Sequence, residues 1–220
     1  MTAAMPYRVK EIFYTLQGEG VRAGRPAVFC RFSLCNLWTG REQDRHRAVC
    51  RFCDTDFVGT DGPGGGVFRT AAELAAAVDA CWPSGAGDEV SGARRYVVCT
   101  GGEPLLQLDS DAVAAFHDRG FEVAIETNGT RDAPAGIDWI CVSPKAGAPL
   151  RLRAGDELKL VFPQPGASPV RFERLPFTHF LLQPMDGPDL AANTRATVEY
   201  CLAHPRWRLS LQTHKILGIR

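Results

Sequence analysis

Short runs of almost uninterrupted apolar residues recur along the chain and limit the folds that it can adopt. Examples are Val28 to Leu34, Tyr96 to Cys99 and Phe121 to Ile125. Strands that are apolar on both faces are typical of parallel sheets, which other layers cover on each side. Further runs of this kind are Trp139 to Val142, Glu157 to Phe162, Phe180 to Gln183 and Trp207 to Leu211. The sequence therefore predicts an α/β fold with seven strands.

Three helices are predicted beside these strands. Thr70 and Glu73 form a capping box at the start of the first, which ends before Pro83. The other two run from Leu108 to Arg119, closed by Gly120, and from Asn193 to Ala203, with an apolar stripe of Val198, Cys201 and Leu202. Seven strands with only three helices do not make a complete eightfold barrel, so we predict a partial, reduced (β/α) barrel.

The composition restricts the partners of the chain. Its 25 basic and 25 acidic residues give a formal net charge of zero, so no basic surplus points to nucleic acid or to an anionic membrane surface. No apolar run approaches the ~18 residues that span a bilayer, and no targeting signal is evident near the N-terminus. We therefore expect a cytoplasmic chain whose partner is a small molecule.

The whole chain, residues 1–220, is interpreted as a single domain. Two stretches that are typical of loops, Gly59 to Gly66 and Pro83 to Ala93, are too short to be interdomain linkers. In a reducing cytoplasm the eight cysteines are expected to form no disulfides. Five of them lie in apolar segments and are predicted to be small buried residues: Cys30, Cys81, Cys99, Cys141 and Cys201.

The other three cysteines, Cys35, Cys50 and Cys53, form a C-x14-C-x2-C pattern. Three thiolates suit an Fe–S cluster with one iron open for a ligand, whereas a closed structural zinc site needs a fourth donor. Cys30 is the main candidate for that donor, but a strand separates it from Cys35, so its side chain is expected to point back into the sheet. The polar segment 36–49 is predicted to cover the cluster as an insert.

A second motif, Thr100-Gly101-Gly102-Glu103-Pro104, follows the strand that ends at Cys99. Two glycines at the exit of a strand let the backbone approach a ligand closely, because no Cβ intervenes. Glu103 offers a carboxylate to a ligand ammonium. Alone, such a motif is ordinarily a turn, but beside three cysteines it favours a cofactor site.

Together, the cysteine pattern and the G-G-E-P motif resemble those of the radical S-adenosylmethionine superfamily. Its members hold a [4Fe–4S] cluster by three cysteines, and the open iron binds the amino and carboxyl groups of S-adenosylmethionine. The resemblance implies that Phe52 packs near the adenine and that Gly101 to Pro104 contacts the methionine amine. The usual spacing is C-x3-C-x2-C, from which this chain departs.

Further segments are similar to the 7-carboxy-7-deazaguanine synthase family, in its variant with the long cysteine spacing. They occur in the family's order from residue 11 to the C-terminus. They are Leu16 to Gly20, Arg31, Cys53 to Asp56, Glu126 to Gly129, Ser143 to Lys145, Gln183 to Met185 and Gln212 to Lys215. The resemblance implies a partial barrel of the radical S-adenosylmethionine type, a homodimer, and an electron donor such as flavodoxin or ferredoxin.

That family converts 6-carboxy-5,6,7,8-tetrahydropterin into 7-carboxy-7-deazaguanine with loss of ammonia, on the route to queuosine and other deazapurines. The resemblance therefore implies a carbon–nitrogen lyase. The reduced cluster splits S-adenosylmethionine, and the resulting 5′-deoxyadenosyl radical removes hydrogen from C6 of the pterin. Mg2+ organises the substrate carboxylate.

The same resemblance implies a role for each site residue. Cys35, Cys50 and Cys53 bind the cluster, and Thr55 supplies a hydroxyl oxygen, a hard ligand, to Mg2+. The residues expected at S-adenosylmethionine are Phe52, Gly102, Glu103, Ser143, Pro144, Lys145 and Gln183. Those expected at the pterin are Leu16, Gln17, Gly18, Glu19, Arg31, Thr100, Glu126, His214 and Arg220, the last through the chain-terminal carboxylate.

The residues themselves leave other interpretations open. Arg31 can pair with Glu19, Glu126 can cap a turn, and Thr55 can supply a turn hydroxyl. Two other functions also remain. An activase that installs a glycyl radical on a partner protein shares the cluster and the G-G-E-P motif, but it needs a protein-docking face. A zinc-stabilised binding module needs no catalysis.

Overall fold

The computed structural model describes residues 5–84 and 94–220, and the strands of these residues form one nine-stranded sheet. The strands are β1 Tyr7–Leu16, β2 Pro26–Phe32, β3 Gly66–Phe68, β4 Arg95–Gly101, β5 Phe121–Thr127, β6 Trp139–Val142, β7 Gly155–Phe162, β8 Phe177–Pro184 and β9 Trp207–Leu209. Their order is β3-β1-β2-β4-β5-β6-β7-β8-β9, so β3 and β9 are free edges and the barrel is partial, as predicted. Most of the predicted loop from Pro83 to Ala93 lies outside the described residues.

The seven strands predicted from the sequence are the parallel part of this sheet. They are β2 and β4 to β9, each parallel to the next. The sequence does not predict β1 and β3. At one side of the sheet, β1 pairs antiparallel with β2, and β3 pairs antiparallel with β1. β1 mixes charged and apolar residues, and a shift of register between Val9 and Glu11 interrupts its alternation. It therefore lacks the apolar run that reveals the parallel strands.

Four helices accompany the strands in the described residues: α1 Ala71–Cys81, α2 Ser110–His117, α3 Leu190–Ala203 and the short α4 Thr213–Leu217, which the sequence does not predict. The capping box of α1 is confirmed in part. Thr70 Oγ1 accepts a hydrogen bond from the nitrogen of Glu73 at 3.1 Å, but the Glu73 carboxylate binds the nitrogen of Arg69 instead. Gly120 follows α2 with a φ of 76°, as expected of a C-terminal glycine.

The apolar stripe predicted on α3 is wrong at Val198 and Leu202, whereas Cys201 packs against the apolar core around Leu158 and Leu160. Val198 and Leu202 are 37% and 78% exposed, whereas Thr197 is fully buried. A threonine is tolerated there because its hydroxyl donates to the carbonyl oxygen of Asn193 at 2.6 Å. The helix is therefore turned away from the orientation that its apolar residues suggest.

The two faces of the sheet differ in chemistry. On one face, α1 and α2 cover an apolar core that includes Val28, Val97 and Phe116. Along β7, Leu158 and Leu160 are fully buried in a second apolar core, while the residues between and beyond them face a cavity. Because strand residues alternate between faces, the same strands build the core and the cavity. No helix in the described residues is long and apolar enough to cross a membrane.

Candidate active site at the carboxyl ends of the strands

A cavity of about 370 Å³ opens where the parallel strands end. Barrels and open α/β sheets place their ligand sites at this edge. All of the predicted site residues except Glu103 and Pro144 line it: Leu16, Gln17, Gly18, Glu19, Arg31, Cys35, Cys50, Phe52, Cys53, Thr55, Thr100, Gly102, Glu126, Ser143, Lys145, Gln183, His214 and Arg220. The fold thus gathers residues from both ends of the chain into one site.

The three cysteines and Gly102 form one part of the lining, which we call the cysteine wall. Cys35 Sγ accepts a hydrogen bond from the nitrogen of Leu37 at 3.4 Å. The hydrogen bond between Cys50 and Cys53 lowers the pKa of Cys53 to about 6 and, together with burial, raises that of Cys50. Burial raises the pKa of Cys35. Since metals bind thiolates, the lowered pKa of Cys53 favours metal binding at this wall.

The arrangement of donors fits a cluster better than a single ion. Among the described residues, no three His, Cys, Asp or Glu side chains are grouped so as to hold one metal ion. A closed structural zinc needs four donors, whereas a [4Fe–4S] cluster with one open iron needs only the three thiols that line this cavity. Cys30, the fourth donor of the zinc alternative, is fully buried in the core beneath α1 and α2. The cysteine wall therefore fits an Fe–S cluster.

The insert 36–49 packs over the cysteine wall through Arg45. Its guanidinium donates to the carbonyl oxygens of Arg51 and Cys53 at 2.8 and 3.1 Å. It also lies 4.1 Å from the ring centre of Trp38, whose apolar cluster contacts Cys53. Arg45 thus holds the backbone of the cysteine loop. An arginine in a polar segment gives no sequence signal for such a role, because most are solvated.

The two glycines after β4 let its main chain approach that of β2. A Cβ on Gly102 would lie 2.0 Å from the oxygen of Leu34 and 3.0 Å from Cβ of Cys35. A Cβ on Gly101 would lie 2.2 Å from the oxygen of Phe32. The nitrogen of Gly102 donates to that same oxygen at 3.1 Å. The glycines therefore permit close contact with the loop before Cys35, in addition to the close approach to a ligand that the sequence predicts.

Glu103 lies outside the cavity wall, although the sequence predicts a contact with a ligand ammonium. Its buried carboxylate accepts hydrogen bonds from Thr127 Oγ1 at 2.6 Å and from the nitrogens of Asn128 and Leu105 at 2.8 and 3.0 Å. Burial raises the pKa of Glu103 despite these bonds. The side chain joins the exit of β4 to that of β5. Pro144 lines a neighbouring cavity instead.

A second part of the lining, which we call the polar wall, consists of Gln17, Glu19, Arg31, Glu126 and Lys159. Glu126 Oε1 accepts a hydrogen bond from Gln17 Nε2 and another from Lys159 Nζ, both at 3.2 Å. Lys159 Nζ also lies 2.5 Å from Glu19 Oε2. These contacts join the loop after β1 to the strands β5 and β7.

Arg31 pairs with Glu11 and not, as one alternative suggests, with Glu19. Arg31 Nε donates to Glu11 Oε1 at 2.8 Å. Within the described residues, its terminal guanidinium nitrogens make no hydrogen bond to protein, so they remain available to a ligand carboxylate. Thr100 Oγ1 donates to Glu126 Oε2 at 3.2 Å, so Glu126 binds side chains rather than capping a turn.

The C-terminal segment closes one side of the cavity. The nitrogen and Oγ1 of Thr213 both donate to the oxygen of Gly18 at 2.9 Å. A Cβ on Gly18 would lie 2.2 Å from Nδ1 of His214, so only glycine allows this packing. The main-chain oxygen of Arg220 accepts a hydrogen bond from Thr15 Oγ1 at 2.9 Å, which ties the end of the chain to β1.

The remaining predicted residues lie between these parts. Lys145 Nζ donates to Ser143 Oγ and to its carbonyl oxygen at 2.6 and 2.7 Å, and burial lowers the pKa of Lys145. Gln183 Oε1 accepts a hydrogen bond from Ser210 Oγ at 3.4 Å. Thr55 lines the cavity, and its hydroxyl makes no hydrogen bond within the described residues.

Several residues of the cavity are missed by the sequence prediction. Lys215 donates to Asp54 and, at 2.6 Å, to Asp186, and so fastens α4 to the loops beside it. Asp54 and Lys215 lie in segments that resemble the family, but the sequence assigns neither of them a role, and Asp186 lies outside those segments. Lys159 does give one, because a lysine within the apolar run of β7 and two positions from Glu157 indicates a polar stripe on one face of a buried strand.

Comparison with known proteins agrees with this site. No family model matches the chain. The chain is 67% identical over 215 residues to the 7-carboxy-7-deazaguanine synthase of Caulobacter vibrioides, covering 98% of this chain and 100% of that protein. It is 65% identical, with the same coverage, to the enzyme of that name from Bordetella pertussis. The crystal structure of QueE from Escherichia coli aligns with a TM-score of 0.66 and 27% identity over 95% of each chain. The chain therefore belongs to the 7-carboxy-7-deazaguanine synthase family of radical S-adenosylmethionine enzymes.

Proposed function

We propose that the chain converts 6-carboxy-5,6,7,8-tetrahydropterin into 7-carboxy-7-deazaguanine, with release of ammonia, in the cavity between the cysteine wall and the polar wall. The observation that carries this proposal is that both walls line one cavity. One offers thiols to a cofactor, and the other offers hydrogen-bond donors and acceptors to a heterocycle. As a member of its family, the enzyme uses a [4Fe–4S] cluster and S-adenosylmethionine. The product serves queuosine or other deazapurine synthesis.

Cys35, Cys50 and Cys53 hold the cluster in this proposal, and the chain acts as one domain whose segment 36–49 covers it. When bound, the reduced cluster and S-adenosylmethionine supply the radical chemistry that starts the ring contraction. The cavity residues proposed to bind S-adenosylmethionine are Phe52, Gly102, Ser143, Lys145 and Gln183. Glu103 and Pro144, which lie behind the lining, support these residues from outside the cavity.

The polar wall is proposed to bind the pterin. Glu126 offers carboxylate oxygens to the N–H groups of the aminopyrimidinone ring, and the amide of Gln17 lies 3.2 Å from it. The free nitrogens of Arg31 suit the substrate carboxylate. Further pterin contacts are proposed for Leu16, Gly18, Glu19, Thr100, His214 and the terminus at Arg220, all of which line the cavity.

Thr55 is proposed to bind Mg2+ next to the substrate. Thr55 lines the cavity, and so do the adjacent Asp54 and Asp56. Mg2+ keeps most of its waters and needs few protein oxygens, so one hydroxyl with nearby carboxylates suits it.

The proposal includes a protein partner and an assembly. An electron donor such as flavodoxin or ferredoxin reduces the cluster. Arg41, Arg47 and Arg51 are exposed beside the cysteine loop and suit an acidic donor. A homodimer is supported by Val198 and Leu202, which are exposed on α3. The enzyme is proposed to act in the cytoplasm.

Turnover by protein purified without oxygen tests the proposal. The protein should contain about four irons per chain, as one [4Fe–4S] cluster requires. With dithionite, S-adenosylmethionine, Mg2+ and the carboxytetrahydropterin it should release 7-carboxy-7-deazaguanine, detected by mass spectrometry. Cleavage of S-adenosylmethionine without this product would contradict the proposal and favour the activase alternative. A colourless protein with one zinc would contradict both.

A further inference from the structure

Lys159 is the least exposed lysine of the described residues, and it lies on the cavity side of β7. It is 4% exposed, whereas its neighbours Leu158 and Leu160 are fully buried on the opposite face. An ammonium in this position is costly unless opposite charges and hydrogen bonds compensate. A leucine would satisfy the packing of the strand equally well, so the charge itself calls for an explanation.

Two carboxylates of the polar wall compensate this charge. Lys159 Nζ lies 2.5 Å from Glu19 Oε2 and 3.2 Å from Glu126 Oε1. The second oxygens of both carboxylates bind other cavity residues: Glu19 Oε1 accepts from Gln212 Nε2 at 2.9 Å, and Glu126 Oε2 accepts from Thr100 Oγ1 at 3.2 Å. An ammonium has three donors, so one proton of Lys159 remains for the cavity.

The charges of these groups depend on one another. Burial by itself raises the pKa of Glu19, but attraction to Lys159 and hydrogen bonds from Lys159 and Gln212 bring it below the ordinary value. The two carboxylates hold the pKa of Lys159 well above its ordinary value against the effect of burial. Without the ammonium, Glu19 and Glu126 would lie side by side with no cation between them, and the pKa of Glu19 would rise.

We propose that Lys159 is a positioning residue that holds the carboxylates of Glu19 and Glu126 in place, so that the cavity selects a heterocycle with adjacent N–H donors on one edge. The inference rests on the proposed function and refines its specificity. The aminopyrimidinone edge of the tetrahydropterin carries such donors. An analogue with a carbonyl in place of the exocyclic amino group would turn an acceptor toward a carboxylate, and sites built for an N–H group strongly reject such analogues.

The substitution Lys159→Met tests this role in the reconstituted holoenzyme, because methionine is unbranched and only one atom shorter than lysine and removes the charge. The KM for the pterin should rise about tenfold or more, with a smaller change in kcat, as expected for lost substrate binding. Discrimination against the carbonyl analogue, measured as an inhibition constant, should fall about tenfold. Iron content and reductive cleavage of S-adenosylmethionine should match the wild type.

The pH profile supplies a readout that a purely structural role would not change. Lys159 holds the pKa of Glu19 below its ordinary value, so the acid limb of kcat/KM should move up by about one pH unit in Lys159→Met. Other titratable or charged groups around the two carboxylates are Tyr96 on β4, Cys141 on β6, Lys145 after β6, Glu157 on β7 and His214 on α4. All of them are present in every variant, so the shift reports the lost ammonium.

A second variant keeps the test valid if the single one does not fold. Combining Glu19→Gln with Lys159→Met removes one charge of each sign and leaves the net charge of the site unchanged. Its acid limb should return to that of the wild type, while its KM stays raised. The control Arg119→Met removes a cation from Asp79, which keeps Arg95 as a partner outside the cavity. It should leave KM and the profile unchanged.

The outcomes separate the inference from the function on which it rests. Wild-type enzyme that forms no deazaguanine product contradicts the proposed function itself. If the wild type turns over, and Lys159→Met or the double variant shows the wild-type KM, the positioning role is overturned. An acid limb that stays in place in Lys159→Met overturns it too.

Discussion

The cysteine wall is held by the main chain, whereas the polar wall is held by ion pairs between side chains. Gly102 sits so close to the loop before Cys35 that a Cβ would meet the oxygen of Leu34 at 2.0 Å. In the polar wall, Lys159 reaches Glu19 and Glu126 from a different strand. Backbone contacts suit a rigid cofactor site, and paired charges suit a site that must recognise the hydrogen-bonding pattern of its ligand.

The same difference makes the cysteine wall easier to recognise in the sequence than the polar wall. The cysteines and glycines of the cysteine wall lie in short motifs that can be recognised by their spacing. The polar wall draws Gln17 from the loop after β1, Glu126 from β5 and Lys159 from β7. None of these three residues is distinctive on its own, and they form a site only because the sheet brings them close together.

The largest effect is expected at the cysteine wall itself. Cys35→Ala should lower iron content and reduce product formation by about a thousandfold or more, because the cofactor carries the chemistry that the side chains lack. Cys30→Ala is the matched control, since Cys30 lies on β2, just before Cys35 in the chain, but is buried in the core. It should keep the cluster and lose only about 1 kcal/mol of stability. Equal loss of iron in both variants would show that Cys35 is merely structural.

Gly102→Ala tests whether main-chain contact holds the cysteine wall. The added methyl group meets backbone at 2.0 Å, so the loop must move, at a cost of roughly 1–3 kcal/mol in the free energy of unfolding. Iron loading should fall with it. Gly66→Ala is the control, because a Cβ there would meet its nearest atom at an ordinary 3.6 Å. Thermal melts measure the stability of both variants, and iron assays measure their iron loading. Unchanged iron loading in Gly102→Ala would contradict the view that main-chain contacts hold the cysteine wall.

Glu103→Gln distinguishes a structural from a ligand-binding glutamate. The carboxylate accepts bonds from Thr127, Asn128 and Leu105, so an amide should lower the free energy of unfolding by about 1–2 kcal/mol. The KM for S-adenosylmethionine should change little, because Glu103 does not line the cavity. A large rise in that KM at unchanged stability would support the sequence prediction of contact with the cofactor amine instead.

The smallest effect is expected at Thr55. Thr55→Ala removes one oxygen that water can replace, so the Mg2+ concentration for half-maximal activity should rise about tenfold or less. Iron content should stay constant. Thr194→Ala on α3, far from the cavity in the fold, serves as control. An unchanged Mg2+ response in Thr55→Ala would remove Thr55 from the site.

How far the sequence predicts the fold depends on the kind of strand. All seven parallel strands follow from apolar runs, because burial on both faces excludes polar residues. β1 escapes prediction, since it lies near the edge of the sheet and carries charged residues such as Lys10 and Glu11 beside its apolar ones. On α3, periodicity places Leu202 inward, but the helix buries Thr197, which satisfies its hydroxyl on its own backbone.

The site divides in the same way. Cys35, Cys50 and Cys53 are evident from spacing, and Gly102 from its motif. Glu103 belongs to that motif too, yet only the structure shows its carboxylate turned away from the cavity to bind Asn128.

By itself, the sequence determined the parallel sheet, the three cysteines and the family, because apolar runs and short motifs are local properties of the chain. Only the tertiary structure decided which carboxylate meets which cation. Arg31 pairs with Glu11, and Lys159 lies between Glu19 and Glu126. Those pairings depend on distances between strands that are far apart in sequence, and charge energies change with burial and separation, which no local pattern records.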